Sequence, residues 1–246
     1  MRILLAAAPV IHREQAFNLQ TILEYMKTYC ERAELIVFGE AVLQGFNSLC
    51  WHYEEDRAVA VALTDASIVK IRAAAKRRHI AVSFGMIERR SGSLYSTQLF
   101  IGADGEIVNV FHRVSPGWKD RSQTDGHYRE GARFEKFSYG GKTFAVGLCG
   151  DLWIEGRPEE MKALSADVVL WPVWCDYPAS EWNGAVRQEY ACQAALCGHD
   201  VLLVNPFCTD PEGAGNAAGA CVHFRDGAIV REHPSGRPGV LMVTLE

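Results

Sequence analysis

A single α/β domain is the fold that this chain predicts, on three observations. Short apolar runs of strand character alternate with stretches of helical periodicity along the whole sequence. A length of 246 residues with 48% hydrophobic and 22% charged content can bury a large core within one domain. No linker-like composition and no internal repeat interrupts the alternation.

The elements follow in order. Residues 3–10, ILLAAAPV, form a buried strand; Arg2 and the small alanines loosely resemble a secretory signal, but the run is short and IHREQ follows at once. From Glu14 to Ala33, Phe17, Leu19, Leu23, Met26, Tyr29 and Cys30 recur at mostly helical spacing, which predicts an amphipathic helix. LIVF (35–38) is a second buried strand. A helix over Asp65–Arg78 carries an Ile68, Ile71, Ala75 stripe, with basic residues on its solvated face. Strands at 80–87, 94–101 and 107–111 come next, the last after the turn ADGE. FEKFSY and KTFAVGL flank Gly140-Gly141, a hairpin signal. A helix over Pro158–Leu164, strands DVVLWPV and VLLVNPF with a helix over 181–198 between them, a hairpin ACVHF-RDG-AIVRE and a last strand GVLMVTL complete the chain.

Charge and cysteine usage narrow the function. A formal net charge of -5, from 25 Lys+Arg against 30 Asp+Glu, leaves no basic face for nucleic acid or anionic lipid. No stretch approaches the roughly 20 apolar residues of a membrane span. A small-molecule ligand is expected. Eight cysteines are scattered through apolar segments, without a disulfide framework or a CxxC pair, which fits a reducing cytoplasm. Cys192, Cys197 and His199 come nearest to metal-ligand spacing, but residues five apart share a helix face poorly. No metal or cofactor is expected.

Two strand ends carry chemistry. Cys149 closes the run FAVGL and precedes Gly150, so it sits on a sharp turn that exposes a thiol to a pocket and directs the next backbone amide at whatever the sulfur attacks. Glu40 follows LIVF and Gly39, where a buried strand gives way to the loop AVLQGF. Together they supply a nucleophile and a base. The segment 113–131, RVSPGWKDRSQTDGHYREG, is a long aperiodic loop of the kind that is usually functional, and its Trp118, His127 and Tyr128 argue for order. Trp118, Tyr128, Trp174 and Trp182 are candidate pocket walls.

FGEAVLQGF, FHRVSPGWKD and GLCGDLW, in that order, resemble the glutamate, lysine and cysteine segments of the nitrilase superfamily of carbon-nitrogen hydrolases. Weaker matches continue through DVVLWPVWC, the helix around Arg187, VLLVNPF and the last hairpin. The resemblance implies a four-layer α-β-β-α sandwich and a homodimer. It implies a hydrolase that cleaves a small amide through a cysteine thioester, or alternatively an N-carbamoyl compound or a nitrile. It carries Glu40 over as general base and Cys149 as nucleophile. The family's lysine follows an aromatic-Arg pair directly, whereas Phe111-His112 is followed here by Arg113, and Lys119 comes six residues later. Lys119 folded back through Pro116-Gly117 is the first choice for the oxyanion, with Arg113 the alternative and the Gly150 amide beside either. Asp125 and Glu130 both stand for the family's second acid. The Arg113 departure also favours a further alternative, a catalytically impaired small-molecule binder.

Overall fold

The computed structural model describes residues 1–210 and 215–246. Its first half runs β1 (Arg2–Ala7), β2 (Pro9–Val10), α1 (Gln15–Tyr29), β3 (Leu35–Phe38), α2 (Tyr53–Val59), α3 (Ala66–Arg78), β4 (Ala81–Arg90), β5 (Ser93–Ile101) and β6 (Ile107–His112). The second half runs β7 (Lys136–Tyr139), β8 (Lys142–Val146), α4 (Arg157–Ala163), β9 (Val168–Pro172), α5 (Ala179–Glu181), α6 (Arg187–Ala195), β10 (Asp200–Cys208), β11 (Ala218–Arg225), β12 (Ala228–His233) and β13 (Gly239–Thr244). One sheet has the order β13-β1-β3-β4-β5-β6 and the other β12-β11-β10-β9-β8-β7, with β2 beside β10. The central strands β1, β3 and β4 are parallel, as are β8, β9 and β10, and β2 with β10; the other neighbours pair antiparallel.

Alternation along the central strands accounts for the layers. In β1 and β3, Ile3, Leu5, Ala7, Leu35 and Val37 join a core with Val204 and Val222 of the other sheet. The intervening Leu4, Ala6, Ile36 and Phe38 join a second core with Ile22 and Met26 of α1 and Ile68 and Ile71 of α3. Successive side chains point to opposite faces of a strand, so strands covered on both faces read as unbroken apolar runs. Beyond the second sheet, Met161 of α4 and Ala191 and Ala194 of α6 pack on its outer face. The result is the expected α-β-β-α sandwich.

Three local differences from the sequence reading have simple causes. The strand over 3–10 breaks after Ala7, and Pro9 and Val10 pair with Phe207 and Cys208 of the opposite sheet. The helix over 181–198 contains a π-helical turn, Trp182–Val186, and ends at Ala195. Helix α2 lies where the sequence reading places no element; its apolar content is too slight for a periodic signal.

Glycine at position 85 is required by close approach. The backbone of residues 39–41 lies directly on β4: the Gly85 N–H donates to Gly39 O at 3.1 Å, and Leu43 N–H donates to Gly85 O at 3.1 Å. A Cβ at Gly85 would lie 2.3 Å from Ala41 N and 2.6 Å from Gly39 O. Backbone cannot yield as a side chain can, so Gly85→Ala is expected to cost about 1–3 kcal/mol or more of stability in urea unfolding, with misplacement of Glu40.

Candidate active site

The turn after β3 places Glu40 in the interior. Its N–H donates to Val173 O, at the end of β9, at 3.2 Å, so the turn bridges the two sheets. The Glu40 carboxylate is fully buried. Its Oε1 accepts from Ser96 Oγ and from Arg113 Nη1, both at 2.9 Å. Its Oε2 is buried without a hydrogen-bond partner among the described residues. A buried acceptor left open beside a satisfied one is positioned to take a proton.

Arg113 enters from the end of β6, where its backbone N–H donates to Ser96 O at 2.9 Å. Only 4% exposed, it donates through Nε to Ser115 Oγ at 2.8 Å and through Nη1 to Glu40. Burial alone would favour loss of its proton, but Glu40, Cys149 and Asp151 hold it firmly charged. Asp151 stands behind it at 3.9 Å and is itself fully buried. One Asp151 oxygen accepts from the amides of Val114 at 3.0 Å and Ser115 at 2.7 Å, and the other from Leu148 N–H at 3.0 Å. The carboxylate therefore clamps the Arg113 loop to the cysteine turn. Burial raises the Asp151 pKa to about 6, against the opposing effects of Ser115 and Arg113.

Cys149 opens a 3-10 turn, Cys149–Trp153, with φ of 50, a left-handed conformation that few side-chain-bearing residues adopt. Such strain is typical of functional positions. Trp171 Nε1 donates to Cys149 O at 2.9 Å and fixes the turn, and the sulfur lies 3.7 Å from Trp174 O. A hydrogen bond with Cys175, burial and the Glu40 charge hold the thiol well above its ordinary pKa, with Arg113 acting in the opposite direction. Cys175 is held in turn by Asn205, through its N–H at 3.0 Å and its carbonyl at 2.9 Å, and its sulfur lies 3.0 Å from Tyr190 Oη. Cys149 lines an open cavity of about 330 Å³ with Gly150, Trp153, Trp174, Tyr177 and Tyr190 among its walls.

Several expected site residues lie elsewhere. The Lys119 ammonium is held by the carbonyl of Tyr128 and by Glu130 Oε1 at 2.8 Å, so it braces the 113–131 loop. Asp125 is exposed and paired with His127 at 2.9 Å, and hydrogen bonds to His127 lower its pKa. Neither Asp125 nor Glu130 touches Glu40 or Arg113; the second acid beside the guanidinium is Asp151. Trp118 and Tyr128 do not line the cavity but are buried with Ala41, Leu49 and Leu94, and Tyr128 Oη donates to Asp56 at 2.7 Å. Trp174 does line it, tethered by Nε1 to Gly215 O at 2.9 Å. Trp182 is buried behind the wall, its ring 5.0 Å from that of Tyr190.

Asp151, Ser96, Ser115 and Cys175 were not singled out from sequence. Asp151 had a signal, two residues after the cysteine in GLCGDLW. Ser115 lies two residues from Arg113, whereas Ser96 and Cys175 are distant in sequence and reach the site only through the sheets. Among the described residues no group of His, Cys, Asp and Glu could hold a metal ion, and no helix is long and apolar enough to cross a membrane.

A two-sheet sandwich with a thiol, a carboxylate and a guanidinium gathered at its strand ends defines a class of hydrolase fold. The sequence matches the carbon-nitrogen hydrolase family over residues 5–246, and the chain belongs to that family. It is 32% identical over 208 residues to a bromoxynil-specific nitrilase of Klebsiella pneumoniae subsp. ozaenae, covering 76% of this chain and 57% of the relative. It is 24% identical over 158 residues to an (R)-stereoselective amidase of a Pseudomonas species, covering 64% of this chain and 54% of the relative. The matched region thus spans little more than half the length of these curated relatives. Among solved structures, an amidase from Nesterenkonia sp. AN1 superposes with a TM-score of 0.78 at 20% identity, covering 100% of this chain and 93% of that one; one of its structures carries acrylamide added at the active site cysteine. A glutamine-dependent NAD+ synthetase from Acinetobacter baumannii has the same TM-score, 0.78, with 98% of this chain covered and 44% of that one. These structural likenesses establish the fold.

The raised pKa of Asp151 has a signed consequence. Its native value, about 6, exceeds the ordinary 3.8, so the native state holds this proton more tightly than the unfolded chain does. Its contribution to stability is full below about pH 3.8 and is lost as pH rises through about 6. Urea unfolding from pH 4 to 7 is expected to show that slope in the wild type, and Asp151→Asn should remove it. The same substitution turns an amide N–H toward a backbone donor and is expected to cost about 1–3 kcal/mol at neutral pH.

Proposed function

We propose that this protein hydrolyses the carbon-nitrogen bond of a small amide through a Cys149 thioester, with Glu40 as general base and Arg113 in the role first given to Lys119. The observation that carries the reading is the open, buried oxygen of Glu40 beside a guanidinium that is electrostatically coupled to the Cys149 sulfur. The family supplies the reaction class, and the amidase with acrylamide at its cysteine supports a thiol as nucleophile.

Each step has a residue. Glu40 takes the thiol proton as the sulfur attacks the amide carbon, and the carbonyl oxygen becomes an oxyanion. The Gly150 amide and an Arg113 N–H receive that charge. Glu40 then gives its proton to the departing nitrogen, so ammonia or an amine leaves and a thioester remains. Water enters, Glu40 removes its proton, and the carboxylic product separates while the proton returns to sulfur. A cysteine of ordinary pKa is only about 3% ionised at neutral pH, so full ionisation would gain roughly thirtyfold. One oxyanion donor is worth about 10²–10³ in rate, which makes the charge of Arg113 the larger effect. Asp151 and Ser115 hold that charge in place; Asp125, Glu130, Trp118 and Tyr128 shape the loop around it.

The nitrilases among the relatives favour one second reading, a nitrile substrate. The same thiol would add to the nitrile carbon, and two waters would carry the thioimidate through to acid and ammonia. Ammonia release from a panel of amides, N-carbamoyl compounds and nitriles separates these substrates. A homodimer, expected from the resemblance, is read by sedimentation.

Cys149→Ala and Glu40→Gln are each expected to abolish turnover while the thermal melt persists, and Arg113→Ala to lower kcat by about 10²–10³. Lys119→Met is expected to keep kcat within about tenfold, since its ammonium is engaged in the loop. Full activity of Cys149→Ala on any amide that the wild type hydrolyses would end the proposal, and a greater loss in Lys119→Met than in Arg113→Ala would return the oxyanion to Lys119.

A further inference from the structure

We infer that Gly150 is a positioning residue, whose missing side chain makes the space in which Arg113 presents a free guanidinium N–H to the oxyanion, so that positions 113 and 150 work as one pair. This rests on the amide-hydrolysis reading above and deepens it.

Two observations carry the inference. Of the three guanidinium nitrogens, Nε is committed to Ser115 and Nη1 to Glu40, while Nη2 has no acceptor among the described residues. Nη2 lies over Gly150, where a Cβ would stand 2.6 Å from Nη2, 3.5 Å from Ser115 Oγ and 3.7 Å from Arg113 Cζ. Meanwhile Gly150 is not among the glycines with positive φ, so its backbone places no demand for glycine. What excludes a side chain at 150 is the guanidinium.

The physical contrast with lysine makes the pairing specific. Counting along the side chains, a lysine Nζ stands where the arginine Cζ does, one atom short of Nη2. At 3.7 Å from a Cβ at 150, that site is in ordinary van der Waals contact. An ammonium at 113 therefore tolerates a side chain at 150, and a guanidinium does not. Because the obstructed atom is the tip of a side chain and not backbone, Gly150→Ala displaces the donor without unfolding the chain.

A double-mutant cycle tests this. Gly150→Ala is expected to lower kcat by about 10² in the wild type, with little change in KM, and by less than about threefold in an Arg113→Lys background. The second readout needs no amide: the iodoacetamide alkylation rate of Cys149 at fixed pH, followed by peptide mass spectrometry. Arg113 favours the thiolate, so Gly150→Ala should slow alkylation with arginine at 113 and leave it unchanged with lysine. Equal effects of Gly150→Ala in both backgrounds, by either readout, overturn the pairing. Should Arg113→Lys fail to fold, unchanged kcat and alkylation in Gly150→Ala alone overturn it equally. Coupled alkylation in a protein that hydrolyses none of the panel compounds upholds the pairing while the functional reading fails.

Discussion

The structure around the site depends on one buried ion pair, Glu40 with Arg113. The two residues are 0% and 4% exposed, and their closest approach is 2.9 Å. Burying either charge alone costs several kcal/mol, and the pair is tolerable only where the remaining donors and acceptors are met. Ser96 and Ser115 supply most of that, and Asp151 adds a second negative charge behind the guanidinium. Removing one partner strands the other in a medium of low dielectric. That constraint fixes the loop ends before any substrate enters.

The pair also explains how two sheets build one site. Glu40 follows β3, Ser96 lies on β5 and Arg113 follows β6, all in the first sheet, whereas Cys149 follows β8 and Cys175 follows β9 in the second. The sheets meet through apolar contacts, which are non-directional and cannot set a sulfur beside a carboxylate to a fraction of an ångström. Directional bonds do so: Glu40 N–H to Val173 O, Asp151 to the amides of Val114 and Ser115, and Trp171 to Cys149 O. Asp151 ties the cysteine turn to the arginine loop. Apolar layers provide the stability, and a few buried polar bonds provide the register.

Legibility in the sequence followed the range of the interactions. Strands 35–38 and 94–101 and the 140–141 hairpin were readable because alternation and turn chemistry are local, and so were the strand-end positions of Glu40 and Cys149. The cation was not. Lys119 was preferred on residue type, yet nothing local foretells that Glu130 and the Tyr128 carbonyl occupy it, or that Arg113 is aimed inward by Ser96. Trp118 and Tyr128 misled for the same reason: an aromatic in a loop reads alike whether it walls a cavity or plugs the space beneath it. Cys175 was taken for one of the scattered buried thiols, and only the parallel pairing of β8 and β9 brings it to Cys149.

That contact bears on where the site keeps its proton at rest. A Cys149 thiolate would place a second negative charge beside Glu40 and would surrender the hydrogen bond with Cys175, and Arg113, already neutralised by Glu40, does not offset both. In the proposed reaction the Cys149 sulfur therefore starts as a neutral thiol, in contrast to cysteine sites that hold a preformed thiolate against a cationic partner. Proton transfer then belongs to the attack itself. As charge leaves the Glu40 and sulfur region for the substrate oxygen, the guanidinium is released from neutralising the carboxylate and becomes available to the oxyanion. In the proposed reaction one arginine thus serves Glu40 before the transfer and the developing alkoxide after it, which is the differential interaction that lowers a barrier and not merely a binding energy.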